Sequence, residues 1–115
     1  MLIQVESINN PLPPCPDTPN CERRSYEIDA DSSILIEFAE KTLKNMGAES
    51  VKVDESKIHA VFRIPIFGWR DDVHVQISDG KLFIRSASRT GYSDLGVNKR
   101  RINRFVKKLN ETISS

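Results

Sequence analysis

Apolar positions recur at spacings of three and four in two stretches of this chain and at spacings of two in the stretches between them. These two rhythms outline the fold. Leu35, Phe38, Ala39, Leu43 and Met46 share one side of a predicted helix. That helix starts after Asp31-Ser32-Ser33, any of which can cap free backbone N–H groups, and Gly47 is placed to end it in a left-handed turn. A second helix starts near Asn98, a good cap, with Ile102, Phe105, Val106, Leu109 and Ile113 as its buried stripe. At roughly 100° per residue, Arg100, Arg101, Arg104, Lys107 and Lys108 fall on the opposite side, as a solvated basic face or a partner surface.

Four strands are predicted between the helices. Val51 and Val53 alternate in a short first strand, ended by Asp54-Glu55-Ser56-Lys57. The second, residues 58 to 64, puts Ile58, Ala60, Phe62 and Ile64 on one face and His59, Val61 and Arg63 on the other. Pro65 to Trp69 is an apolar, glycine-containing link. The third strand, about 71 to 78, points Val73, Val75 and Ile77 inward, and the fourth, 81 to 89, follows Asp79-Gly80, a strong two-residue hairpin signal. The class is α+β: an antiparallel four-stranded sheet with two helices packed on one face, in the order arm-α-β-β-β-β-α. Residues 1–24 read as an irregular, proline-rich arm and residues 25–115 as a single α+β domain. Pro11, Pro13, Pro14, Pro16 and Pro19 exclude a helix in the arm and argue against a central strand.

The two-residue turn fixes a register. Ile77 meets Leu82, Val75 meets Ile84 and Val73 meets Ser86 on the helix-covered face. On the other face His74 opposes Arg85, and Asp72 opposes Ala87, diagonal to Arg85 and Arg89. The same parity sends Ser86 and Ser88 toward the start of the second helix.

Composition changes this picture little: 38% hydrophobic, 29% charged and a net charge of +1 describe an ordinary soluble globule. No apolar run approaches the roughly 20 residues of a membrane span. No secretory signal is visible either, so the chain as written is expected in the cytoplasm, or exported if a leader was removed. The near-neutral total hides a split, because residues 85 to 108 carry +7 and the remainder −6. Such asymmetry marks an anionic partner, or one half of the fold set electrostatically against the other.

Candidate chemistry therefore centres on the stretch from Arg85 to Arg101. It holds five cations, several hydroxyls and Asp94 between an apolar strand and an apolar helix. Lys99, Arg100 and Arg101 occupy the first helical turn, where the helix dipole disfavours cations, so a carboxylate or bound anion nearby would relieve them. The first reading is a binding domain that holds a small anionic or polar ligand at the junction of the fourth strand and second helix. Arg85, Ser88, Arg89, Tyr92 and Arg100 would make the contacts, with Asp72, Asp94 and Asn98 in support. The alternative is a structural or protein-interaction module. There, Asp71, Asp72 and Asp94 pair with Arg85, Arg89 and Arg101 to fasten the loop and arm, and the basic helix face meets a protein partner.

No nucleophile, metal or cofactor motif is present, so whether the protein is an enzyme stays open, leaning against. Cys15, Cys21, His59 and His74 match no standard zinc spacing. Nucleic acid is disfavoured because no stacking aromatics interleave with the basic stripe. Cys15 and Cys21 either form a disulfide, worth about 2.4 kcal/mol on the chain-entropy model, or remain two reduced thiols.

Three blocks resemble a known family. They are Pro14-Cys15-Pro16-Asp17-Thr18-Pro19-Asn20-Cys21, Phe67-Gly68-Trp69-Arg70-Asp71-Asp72, and the run from Arg85 through Gly91-Tyr92-Ser93-Asp94-Leu95-Gly96 to Ile102. Together they are similar to the domain of unknown function 1499 family over roughly Leu12 to Leu109. That family has no assigned activity, and its members are small proteins of bacteria and plastids, some exported or membrane-attached. The resemblance implies a paired-cysteine reading in the exported members, and its blocks fall on the arm, the strand-three entrance and the strand-four exit, which outline one site at a single end of the sheet if they converge. This chain departs from the pattern in showing no visible leader and in Glu22-Arg23-Arg24-Ser25 after the second cysteine.

Overall fold

Residues 1–6, 9–17, 20–89 and 96–114 are described by the computed structural model. Among these described residues eight elements follow one another: β1 (Ile3–Val5), β2 (Cys21–Glu27), α1 (Ser32–Asn45), β3 (Ser50–Asp54), β4 (Lys57–Arg63), β5 (Arg70–Ser78), β6 (Lys81–Ser88) and α2 (Val97–Ser114). The sheet has six antiparallel strands in the order β1-β2-β6-β5-β4-β3, not four. The correction lies in the N-terminal stretch. The prolines end before Cys21, so β2 is free to pair with β6 from Cys21↔Ala87 to Glu27↔Lys81, and β1 adds beyond it through Gln4↔Tyr26. β2 thus runs across the expected boundary at residues 24 and 25.

Local chemistry sets the other elements where the sequence puts them. The Asp31 carboxylate accepts from the backbone N–H of Ser33 at 2.9 Å and starts α1. Gly47 stops it at a φ of +92°. Asp79 and Gly80 both take positive φ, 51° and 73°, as the tight β5–β6 turn requires. The register is the expected one, with Val75↔Ile84 and His74↔Arg85.

Both helices lie on one face of the sheet. Leu35, Ala39 and Leu43 of α1 and Ile102, Phe105 and Leu109 of α2 pack onto Ile58, Ala60, Val73, Val75, Leu82 and Ile84. Tyr26 of β2 joins this core. The first strand is tied to the end of the fold, since Leu2 N–H donates to Asn110 Oδ1 at 2.8 Å. Among the described residues, no helix is long and apolar enough to cross a membrane.

Candidate functional site

Among the described residues no helix covers the second sheet face, and strand pairing lines up its side chains in rows. One row runs Lys52, His59, His74, Arg85, Arg23 across five strands, with about 4.8 Å between neighbouring strands. The next holds Val61, Asp72, Ala87 and Cys21. The row is cationic because β2, which looked like an arm, contributes Arg23, and the edge strand contributes Lys52.

The proline-rich segment crosses this face. Arg23 Nη1 donates to the Leu12 carbonyl at 2.9 Å, and Asn10 Nδ2 donates to Ser25 Oγ at 3.1 Å. A disulfide joins Cys15 to Cys21 at the start of β2 and holds the segment there. Leu12, Lys52, His59 and His74 then border a groove of about 240 Å³. Phe83 and Val61, though on this face, are buried.

Inside the row, the His59 and His74 rings stack with centroids 4.5 Å apart and planes within 6°. Burial, then the neighbouring His59, hold His74 below the usual imidazole range. Arg85 differs from the other arginines nearby. Its Nε is buried with no hydrogen bond among the described residues, and, as for Arg23, no carboxylate pairs with it among them.

Asp72 stands on this face beside the row. It accepts from Arg89 Nε at 2.9 Å and Nη2 at 3.0 Å, and its Oδ1 lies 2.8 Å from His59 Nε2. Chiefly the Arg89 hydrogen bonds lower its carboxyl from 3.8 to about 2. A carboxyl lowered on folding adds stability that is fully present above its ordinary value and lost as pH falls through its folded value. The gap in unfolding free energy between wild type and Asp72→Asn, about 1 kcal/mol for so exposed a partner, is therefore expected at pH 7 and should close between pH 4 and pH 2. Urea titrations of both proteins across that range check it, and a gap independent of pH would show that the pair contributes nothing.

The predicted ligand residues divide between the two faces. Arg85 and Arg89 lie on the open face, four residues apart on the β6 path. Ser88 is turned to α2, where its Oγ accepts from Asn98 Nδ2 at 3.4 Å. Arg100 is exposed on the first turn of α2. Tyr92 and Asp94 lie outside the described residues.

On the helix side, the supporting residues form a buried network. Asn98 is inside α2 rather than capping it; the helix begins earlier, with Arg100 N–H donating to Gly96 O at 3.0 Å. Its side chain accepts from Ser86 Oγ and from Arg101 Nη1, and donates to the Asn20 carbonyl at 3.0 Å. Arg101 leaves the basic face assigned to it. Its side chain is 9% exposed, spans the Phe62 ring at 4.8 Å and reaches Asp71 Oδ2 at 2.8 Å. This last is a charge contact outside hydrogen-bond alignment, so Oδ2 has no hydrogen bond among the described residues. Arg100, Arg104, Lys107 and Lys108 remain exposed. Among the described residues, no cluster of three or more His, Cys, Asp or Glu side chains could hold a metal ion.

A family model described as protein of unknown function, DUF1499, matches residues 11–109. The chain belongs to the DUF1499 family. No curated protein and no solved structure matches it. The DUF1499 match takes in the proline segment, the whole cationic row and α2 as far as Leu109.

Proposed function

We propose that this protein is a small anion-binding domain whose site is the cationic row of the open sheet face, centred on Arg85. One observation carries the reading: a guanidinium between His74 and Arg23 has a buried, unbonded Nε and no carboxylate partner among the described residues. Buried donors are nearly always satisfied, so one left over marks the place of a missing acceptor. A guanidinium fork suits a planar carboxylate or a tetrahedral dianion, and the flanking Arg23 favours the same charge. The Cys15–Cys21 bridge, which holds the proline segment over this row, suits an oxidising compartment.

Thermal unfolding with sulfate, phosphate and citrate tests the site. At a concentration near 100 times Kd, stabilisation by about 2.7 kcal/mol is expected, lost in Arg85→Ala and retained in Arg104→Ala. Equal stabilisation of wild type and Arg85→Ala, or none with any anion, would overturn the reading.

A second reading has its own support. Asp71–Arg101 and Asp72–Arg89 use up much of the Arg/Asp set internally. In that reading the network only fastens the fold, and the exposed Arg100, Arg104, Lys107 and Lys108 meet an acidic protein. Failure of every anion to stabilise would favour it.

A further inference from the structure

The link between β4 and β5 exposes three large apolar side chains at one end of the sheet. Ile66 is 95% exposed, Phe67 62% and Trp69 39%. These are not frayed residues. Ile64 N–H donates to the Trp69 carbonyl at 2.7 Å, Gly68 N–H to the Ile64 carbonyl at 3.0 Å, and Phe67 N–H to the Pro65 carbonyl at 2.9 Å. The last bond closes a three-residue γ-turn with Ile66 at its centre, at a φ of +76°. A β-branched residue in that region is a true outlier, since its side chain crowds the backbone. The strain is held by a bonded loop that presents Ile66 to solvent, with Phe67 and Trp69 stacked beside it at 4.6 Å.

Cations surround this tip. The Arg63 guanidinium lies against the loop, where a Cβ at Gly68 would meet its Nη2 at 3.5 Å. Arg70 and Arg89 follow at the sheet end, joined by Arg89 N–H to Arg70 O at 3.0 Å. Lys99 and Arg100 are exposed on the first turn of α2, which Arg101 and Asn98 anchor to Asp71 and Ser88 at this same end. At this end the described carboxylates include Glu49, paired with Arg70, Asp72, paired with Arg89, and the exposed Asp17 of the disulfide loop, fewer than the five cations Arg63, Arg70, Arg89, Lys99 and Arg100. Positive charge is therefore in excess around an apolar tip.

We propose that this end of the molecule docks on an anionic lipid bilayer, with Ile66, Phe67 and Trp69 entering the headgroup region and the arginine rim meeting lipid phosphates. Each half of the arrangement serves one half of such a surface. Aromatic rings settle at the boundary between headgroups and acyl chains. Basic residues within a Debye length of an anionic leaflet add their own attraction. Neither alone holds a protein well, and the two together do. A groove-filling protein partner fits less well, because the apolar side chains stand on a single turn with a charged rim instead of lining a concavity.

Trp69 is the sole tryptophan of the chain, so its emission reports the contact directly. The probes are vesicles of phosphatidylcholine alone and vesicles containing about 30% phosphatidylglycerol. A blue shift and co-sedimentation are expected with the anionic vesicles and not with the neutral ones, weakening as salt rises. Phe67→Asp is expected to reduce partitioning by about ten-fold or more, and Arg63→Glu to reduce it and flatten its salt dependence. Phe67 is exposed, so unchanged thermal unfolding of Phe67→Asp verifies its fold. Arg85→Ala should bind vesicles as wild type does, which separates this contact from the anion site. The proposal is overturned by unshifted Trp69 emission with both vesicle types, by undiminished binding of Phe67→Asp, or by a solution dimer that Phe67→Asp dissociates.

Discussion

Asp71→Ala is expected to lower the unfolding free energy by about 3–5 kcal/mol, the cost of leaving half of a buried ion pair behind. The Asp71 side chain is 2% exposed and that of Arg101 9%. Without the carboxylate, the guanidinium remains beneath α2 against the Phe62 ring, with Ser86 and Asn98 as neutral hydrogen-bond partners. Its charge then has no counter-ion in a place water reaches poorly. The pair as a whole need not be strongly stabilising, because desolvation cancels much of its attraction. The double variant Asp71→Leu/Arg101→Met should accordingly recover much of what Asp71→Ala loses. Urea unfolding at neutral pH measures both. A loss below about 1 kcal/mol for Asp71→Ala would mean that Arg101 swings out to solvent and the pair holds nothing.

Asn98→Ala ranks next, with an expected loss of about 2–4 kcal/mol from orphaned polar groups. The Asn98 amide uses both ends. Its oxygen accepts from Ser86 and Arg101, and its nitrogen donates to the Asn20 carbonyl and Ser88 hydroxyl. Truncation frees several of these at once in a nearly dry place. Asn98→Asp separates hydrogen bonding from volume. It keeps the shape and the acceptor but sets a second acceptor against the Asn20 carbonyl, so it should be no more stable than alanine. If Asn98→Asp instead matches wild type, the amide donor contributes nothing, and the fastening of residue 20 to α2 is packing alone. Thermal unfolding of the two variants decides between these outcomes.

Legibility in the sequence followed the strength of local signals. Asp79-Gly80 specifies one turn, and that turn specifies a register, so the pairing of His74 with Arg85 follows from the order of residues alone. β2 escaped because its inward positions are Glu22, Arg24 and Tyr26. Two polar residues of three erase the alternation that marks a strand. They are tolerated there because Arg24 bonds Glu22 at 2.8 Å and Asn103 of α2 at 2.7 Å. Missing β2 also hid Arg23, and with it the extent of the cationic row. Arg101 was assigned to solvent by its charge, although it stands three residues after Asn98 and four before Phe105, on the side that α2 buries. The link at Pro65 to Trp69 was legible as apolar, but its outward turn depends on loop hydrogen bonds that leave no mark on periodicity.

The strand order has a consequence for the company this protein keeps. A sheet with two open margins invites further strands from other chains, and long flat margins are where such growth begins. Here the margins are β1, three residues long, and β3, five residues long with Lys52 at its centre and Asp54 at its end. One margin is too short to template a partner, and the other would have to bury charge beside an incoming chain. Neither side of that sheet readily extends into a fibre, even though no helix covers its second face among the described residues.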